Sequence, residues 1–278
     1  MFKGFYTATT GMLSQQRKSD MLTNNMANAN TPGFKADQAS LRAFPEMLLQ
    51  QLQSNGVPGK DKSQWTGKKE VGLLNTGVYV QEVTPNFAQG DVRETGRRTD
   101  VALINRIVPV NEEGVKGTFF FTVRDENNSI RYTRNGNFTL DGQGFLTTNE
   151  GLYVMDRNNQ PIQLQGTDFQ INSQGTVMEN GQSVAQLNIA MTENANSMMK
   201  EGNGLYRTDN ELPLPSAFGN PAVSFDIQQG SLERSNVDVT QTMTELLSAY
   251  RAFEANQKIV QAYDRSMEKA ANEIGRLR

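Results

Sequence analysis

Apolar residues recur at alternating steps of three and four at both ends of the chain, and at much shorter range through its middle. From Phe5 to Met26 the stripe is Phe5, Ala8, Met12, Gln15, Ser19, Leu22 and Met26. That spacing is one face of a helix. Several positions are small or polar, so a helix with so thin an apolar face gains little stability alone. It is expected to stop at Asn28-Ala29-Asn30-Thr31-Pro32-Gly33, a run of helix breakers. The C-terminal stripe is longer: Val239, Met243, Leu246, Tyr250, Phe253, Gln257, Val260, Asp264, Met267, Ala271 and Ile274. Asn236 and Asp238 are candidate caps, no Gly or Pro interrupts the run, and Glu254 precedes Lys258 by four residues. At 1.5 Å per residue this helix would reach roughly 55 Å. Two readings stand: one face packed on its own domain, or a coiled coil with the other end of the chain.

Between the helices the pattern changes to short β-prone runs and turn pairs. Gln51 to Lys69 is polar, with Asn55-Gly56 and Pro58-Gly59, and reads as a linker or loop. Gly77 to Val83 and Phe119 to Val123 read as strands. Asn135-Gly136, Asp141-Gly142, Asn158-Asn159 and Asn180-Gly181 read as turns, Asn-Gly being the strongest short hairpin signal. Two internal echoes appear. Phe138 to Leu146 resembles Phe169 to Val177, which predicts two similar hairpins. Gln89-Gly90-Asp91-Val92-Arg93-Glu94-Thr95 resembles Gln229-Gly230-Ser231-Leu232-Glu233-Arg234-Ser235, and the two are expected to lie near each other. The fold class is therefore α+β: a central, mainly antiparallel β domain with N- and C-terminal α-helices that pair as a coiled coil. The expected division is residues 1–50 plus 230–278 as a terminal helical assembly region, 51–70 as a polar linker or loop, and 71–229 as the central β domain.

Composition narrows the chemistry. The 278 residues are 36% hydrophobic and 21% charged, and 27 Asn and 22 Gln fill the gap, which suits polar β-structure and wet contacts. There is no Cys and no His, so disulfides, thiol nucleophiles, Cys/His metal sites and His-based triads are excluded. Neither a metal nor an organic cofactor is expected. Net charge is −3, and the segment from Gly230 onward is balanced, so nothing favours nucleic acid. No apolar run approaches the ~18 residues that span a membrane. Asp100, Asp125, Glu126, Asp141 and Asp156 could serve a carboxylate-based hydrolase by number. Turn chemistry accounts for Asp141 and Asp156, and no catalytic residue is expected. Asp125-Glu126-Asn127-Asn128 lacks the ligand pattern of a calcium loop. Met198-Met199 reads as core or interface filler. The N-terminus Met1-Phe2-Lys3-Gly4-Phe5-Tyr6-Thr7 lacks the apolar region of a secretory signal peptide, which taken alone predicts a cytoplasmic protein.

Asn24-Asn25-Met26-Ala27-Asn28-Ala29-Asn30-Thr31-Pro32-Gly33-Phe34-Lys35 resembles the N-terminal signature of bacterial flagellar rod and hook proteins. Gln229 to Asp238, with Leu247 to Asn256, resembles the C-terminal partner pattern. Tyr132 to Phe138 and Gly144 to Gly151 resemble the family's central segments. Between Leu103 and Gly117 the chain departs from the family's short connection by the stretch Ile104 to Lys116. The resemblance implies a structural subunit of the basal-body rod or rod–hook region, of a distal-rod-like or hook–basal-body type. It further implies export through the flagellum's own type III pathway without a cleaved signal, and polymerisation into an axial helical filament with the terminal helices inward. Partners would be other copies, neighbouring axial proteins and the export apparatus. Candidate inner-packing residues are Phe5, Met12, Leu22, Met26, Val239, Met243, Leu246, Tyr250 and Phe253, with Asn256 beside them. Asn24, Asn25, Asn28 and Asn30 either bond a neighbouring chain or cap locally. The rival functions are a β-domain adhesin with a helical stalk and a cell-wall hydrolase.

Overall fold

The computed structural model describes residues 2–52, 68–111, 114–125, 128–209 and 212–274. It is α+β, with mostly antiparallel sheets and a helix at each end. Helix α1 spans Phe2–Ala27. Helix α2 spans Val239–Lys269 and ends in a π-helical turn, Ala270–Ile274. α1 stops where the breakers begin: the Asn28 side chain donates back to the Asn24 carbonyl (2.9 Å), and Gly33 takes a φ of +69°. Among the described residues no helix is long and apolar enough to cross a membrane.

The chain divides into two compact units. The first draws on α1 up to Thr23, on residues 39–83 and on α2 from Thr240. Its helices lie side by side and antiparallel: a side chain at Gly4 would run into Tyr263, one at Gly11 would press on Asn256, and Lys18 lies 3.9 Å from Glu245. α1 also carries hydroxyls onto the strand side of this unit. Ser14 Oγ donates to the Val78 carbonyl at 2.9 Å, and Gly77 makes room for Thr10. Strands Asp37–Ala43 and Val78–Pro85 pair, and Met47–Leu52 pairs antiparallel with Lys68–Leu74. The 51–70 stretch therefore begins and ends in strand; its turn signals, Asn55-Gly56 and Pro58-Gly59, lie outside the described residues.

The second unit, residues 24–38 and 84–239, holds the β core. Its eight-stranded sheet is centred on Thr118–Arg124, flanked by Ile130–Thr133, Ile189–Thr192 and Tyr153–Val154. The Phe-Phe-Phe run is apolar throughout because this strand is buried on both faces. Phe119, Phe121 and Val123 enter the larger hydrophobic cluster, while Phe120 points into a second one with Tyr132, Ala190, Met198 and Tyr206. Met198 is buried and Met199 exposed.

Both echoes have a structural cause. Phe138–Leu140 with Leu146–Thr148, and Phe169–Ile171 with Thr176–Glu179, are antiparallel hairpins. Their turns match bond for bond. The Asp141 carboxylate accepts from the backbone N–H of Gln143 and Phe145, and Asn172 Oδ1 accepts from Gln174 and Thr176. Gly144 and Gly175, at φ +83° and +77°, close the two loops. Asp156 makes the same turn with Asn158 and Gln160, closed by Asn159 at +57°. In the second echo, Val92–Glu94 and Ser231–Glu233 pair antiparallel, so the similar segments hydrogen-bond each other. Asn180-Gly181 is a two-residue hairpin loop with both residues at positive φ. Asn135-Gly136 is not a hairpin loop. Its flanking strands do not pair, and Gly136 instead lies against the Val101 carbonyl, where no Cβ fits.

Candidate assembly interface

In the β unit, three of the segments that carried the family resemblance converge on one buried ion cluster. Lys35, Arg134 and Glu233 are 0%, 1% and 2% exposed. Lys35 Nζ donates to Glu233 Oε1 at 2.6 Å and to the Ala88 carbonyl at 2.8 Å. Arg134 grips Glu233 Oε2 with Nε and Nη2, at 2.9 and 2.6 Å. Its remaining N–H groups reach the Leu103 and Phe119 carbonyls and Asn105 Oδ1. Burial and the nearby Arg134 lower the Lys35 pKa to about 8, against the pull of Glu233. Burial works against ionised Glu233, but Arg134 and Lys35 outweigh it and hold its pKa below the ordinary value.

The loop after α1 is fastened around this cluster. Gly33 N–H donates to the Glu233 carbonyl (2.8 Å), and Gly33 lies so close to the Arg134 backbone that no Cβ fits. Asn236 Oδ1 accepts from Ala36 N–H (2.8 Å), while its Nδ2 donates to the Asn86 and Ala88 carbonyls. Lys200 pairs with Asp37 (2.9 Å) and sits 4.0 Å from the Phe34 ring centroid. Asn25, buried at the end of α1, binds both the N–H and the carbonyl of Asp37. Gln89 holds Leu103 O and Asn105 N–H in the same way. Gln229, its counterpart in the echo, holds Phe169 O and Ile171 N–H.

The helices divide the candidate interface residues into two sets. On α1, Leu22 is buried and Phe5, Met12 and Met26 are half-buried, while Tyr6 and Leu13 are exposed. On α2, Leu246, Phe253 and Asn256 are half-buried, whereas Val239, Met243 and Tyr250 are exposed, Tyr250 by 55%. The two buried positions on α2 are Thr242 and Ala249; Asn256 and Tyr263, at the same seven-residue spacing, are half-buried and face Gly11 and Gly4 of α1. Small Thr242 and Ala249 let neighbours approach closely, and ranking by hydrophobic size passes over them. Met243, Leu247 and Tyr250, with Val239, make a second apolar face left uncovered in the single chain. Asn25 binds the Asp37 backbone, Asn28 caps locally, and Asn24 and Asn30 are exposed.

Three of the candidate hydrolase carboxylates have side-chain partners. Asp100 is buried and paired with Arg97 at 2.7 Å, and Asp141 and Asp156 close turns. Asp125 accepts from Asn128 N–H through its carbonyl; Glu126 lies outside the described residues. Of the stretch Ile104 to Lys116, Ile104–Ile107 continue strand Val101–Ile107 along Ser224–Gln229, and Val110 bridges Lys116.

Family models match three parts of the chain: "Flagella basal body rod protein" at residues 5–35, "Flagellar hook protein FlgE/F/G D1 domain" at 114–179, and "Flagellar basal body rod FlgEFG protein C-terminal" at 228–273. The flagellar hook-basal body complex protein FlhO of Bacillus subtilis is 46% identical over 278 residues, covering 100% of both chains. The flagellar basal-body rod protein FlgG of the same organism is 30% identical over 281 residues, covering 98% of this chain and 99% of its own. The flagellar basal-body rod protein FlgF of Caulobacter vibrioides is 28% identical, covering 100% of both. The full-length similarity, together with three matched segments that each contribute one residue to the Lys35–Arg134–Glu233 cluster, places the chain in the flagellar basal-body rod and hook protein family.

Proposed function

We propose that the chain is a non-catalytic structural subunit of the flagellar rod or rod–hook region, adding to other copies and to neighbouring axial proteins through its terminal helices. The observation that carries this is the uncovered apolar face of α2: Val239, Met243, Leu247 and Tyr250 recur at helical spacing. An apolar row at that spacing marks an interaction surface rather than scattered exposure. Tyr6 and Leu13, one heptad apart on α1, extend the same logic. The α1 and α2 contacts at Gly4, Gly11 and Lys18 favour a coiled-coil pair whose inner row is Thr242, Ala249, Asn256 and Tyr263. Leu246 and Phe253 flank that row, and Met243 and Tyr250 meet the next subunit. A repeated head-to-tail contact that does not close then generates a helical filament. Export through the flagellar pathway, with no cleaved signal, brings the subunit to this site. Leu246→Asp tests the inner packing: it removes assembly and leaves the β unit folded, as read by near-UV circular dichroism. Normal assembly of that variant would refute the packing role given to Leu246 beside the inner row.

A further inference from the structure

The two sides of the Lys35–Arg134–Glu233 cluster do not depend on each other equally. Arg134 is fixed by the β core through Leu103, Asn105 and Phe119, whatever the chain ends do. Segment Ser231–Glu233 has its own ladder to Val92–Glu94 and its own ion pair to Arg134. The loop after α1 takes part of its bonding, and the one anion beside Lys35, from the C-terminal segment. Gly33 N–H goes to the Glu233 carbonyl, Ala36 N–H to Asn236 Oδ1, and the carboxylate beside Lys35 is Glu233. Its other anchors include Asn86 N–H on the Ala36 carbonyl, Lys200 on Asp37 and on the Lys35 carbonyl, Asn25 on Asp37, and the Ala88 carbonyl on Lys35; none of them brings an anion to the Lys35 ammonium.

Without the loop, Glu233 and Arg134 remain a balanced buried pair. Without the C-terminal segment, Lys35 would be buried beside Arg134 with no anion, an arrangement that desolvation and like-charge repulsion both oppose. We propose that the chain ends close in a fixed order: the segment bearing Glu233 docks first and completes the seat into which the Lys35 loop then closes. The base of α1 therefore locks only on a chain whose C-terminal segment is already in place. An incomplete chain, or one whose C-terminal end is engaged elsewhere, keeps that base open.

Hydrogen exchange on the full-length isolated chain tests the order, with strand Thr118–Arg124 as the folding control. Lys35→Met should speed exchange at Gly33 and Ala36 by about tenfold while Ser231–Glu233 stays within about twofold. Glu233→Gln should speed Gly33 and Ala36 at least as much. Adding Lys35→Met to Glu233→Gln should slow them again, because no uncompensated ammonium then has to be buried. Equal opening of Ser231–Glu233 and Gly33–Ala36 in Lys35→Met would overturn the order, as would a double variant no slower than Glu233→Gln. If Glu233→Gln loses protection in the control strand, the Lys35→Met comparison decides alone.

Discussion

Two cations and one anion share a site with no access to water, so the three side chains are not equivalent. Glu233→Gln leaves Lys35 and Arg134 facing each other and should cost about 3–5 kcal/mol, the range for breaking a buried pair from one side. Lys35→Met leaves a balanced pair and fills the same space with apolar atoms, so its cost should be well under half of that; urea unfolding of both variants compares them. The pH dependence follows from the two shifts. Glu233 has its pKa lowered on folding, so its contribution is present above the ordinary carboxylate value and is lost as pH falls. Lys35 is lowered to about 8 from 10.5, so the unfolded chain holds that proton more tightly. Stability from this group then rises, rather than falls, between those values. Urea midpoints should drop steeply below pH 4.5 and show no loss from Lys35 between pH 8 and 10. These three residues lie inside the segments that resemble the family, yet nothing in their spacing pairs Lys35 with a residue 198 positions away. Gly33 was legible only as a breaker. Its closeness to the Arg134 backbone gives it a second reason, and Gly33→Ala should destabilise by more than the ~1 kcal/mol of a helix-interior exchange.

Turns and helices show how far local pattern carries. The Asp/Asn turns at Asp141, Asp156 and Asn172 were readable because one side-chain oxygen satisfies two backbone donors within five residues. Replacing Asp141 with Ala should cost roughly 1 kcal/mol in thermal unfolding, and Asn172→Ala a similar amount, without unfolding the β unit. Asn135-Gly136 misled because the same dipeptide also serves where the backbone passes another strand closely. On α2 the expected row is partly covered: Leu246 and Phe253 are half-buried, and Met243 and Tyr250 are exposed. An apolar stripe ranked by size selects Met243 and Tyr250, but the buried positions are the smaller Thr242 and Ala249. Ala249→Phe should therefore disturb the isolated chain by about 1–3 kcal/mol through overpacking. Tyr250→Ser, on the exposed face, should change its stability by less than about 0.5 kcal/mol.

At the scale of the whole molecule the chain ends do two jobs. In the β unit they are bonded into the fold through Gly33 to Asp37 and Ser231 to Asn236. In the first unit the same chain continues as two helices with apolar residues left exposed. The helix–sheet–helix order was legible from a period that switches from 3.6 to 2 and back. The ion cluster was not, because tertiary charge pairing has no period. Family membership was legible from short segments at both ends and the centre, and Gly33, Lys35, Arg134 and Glu233, from three of them, meet in space. The most direct test of assembly through the uncovered face of α2 is a Met243→Ser/Tyr250→Ser variant, scored for incorporation into isolated hook–basal bodies. The account predicts a variant that folds with wild-type thermal stability, is present in cells, and is missing from the isolated structures together with motility. Recovery of the variant in hook–basal bodies at the wild-type level would contradict it.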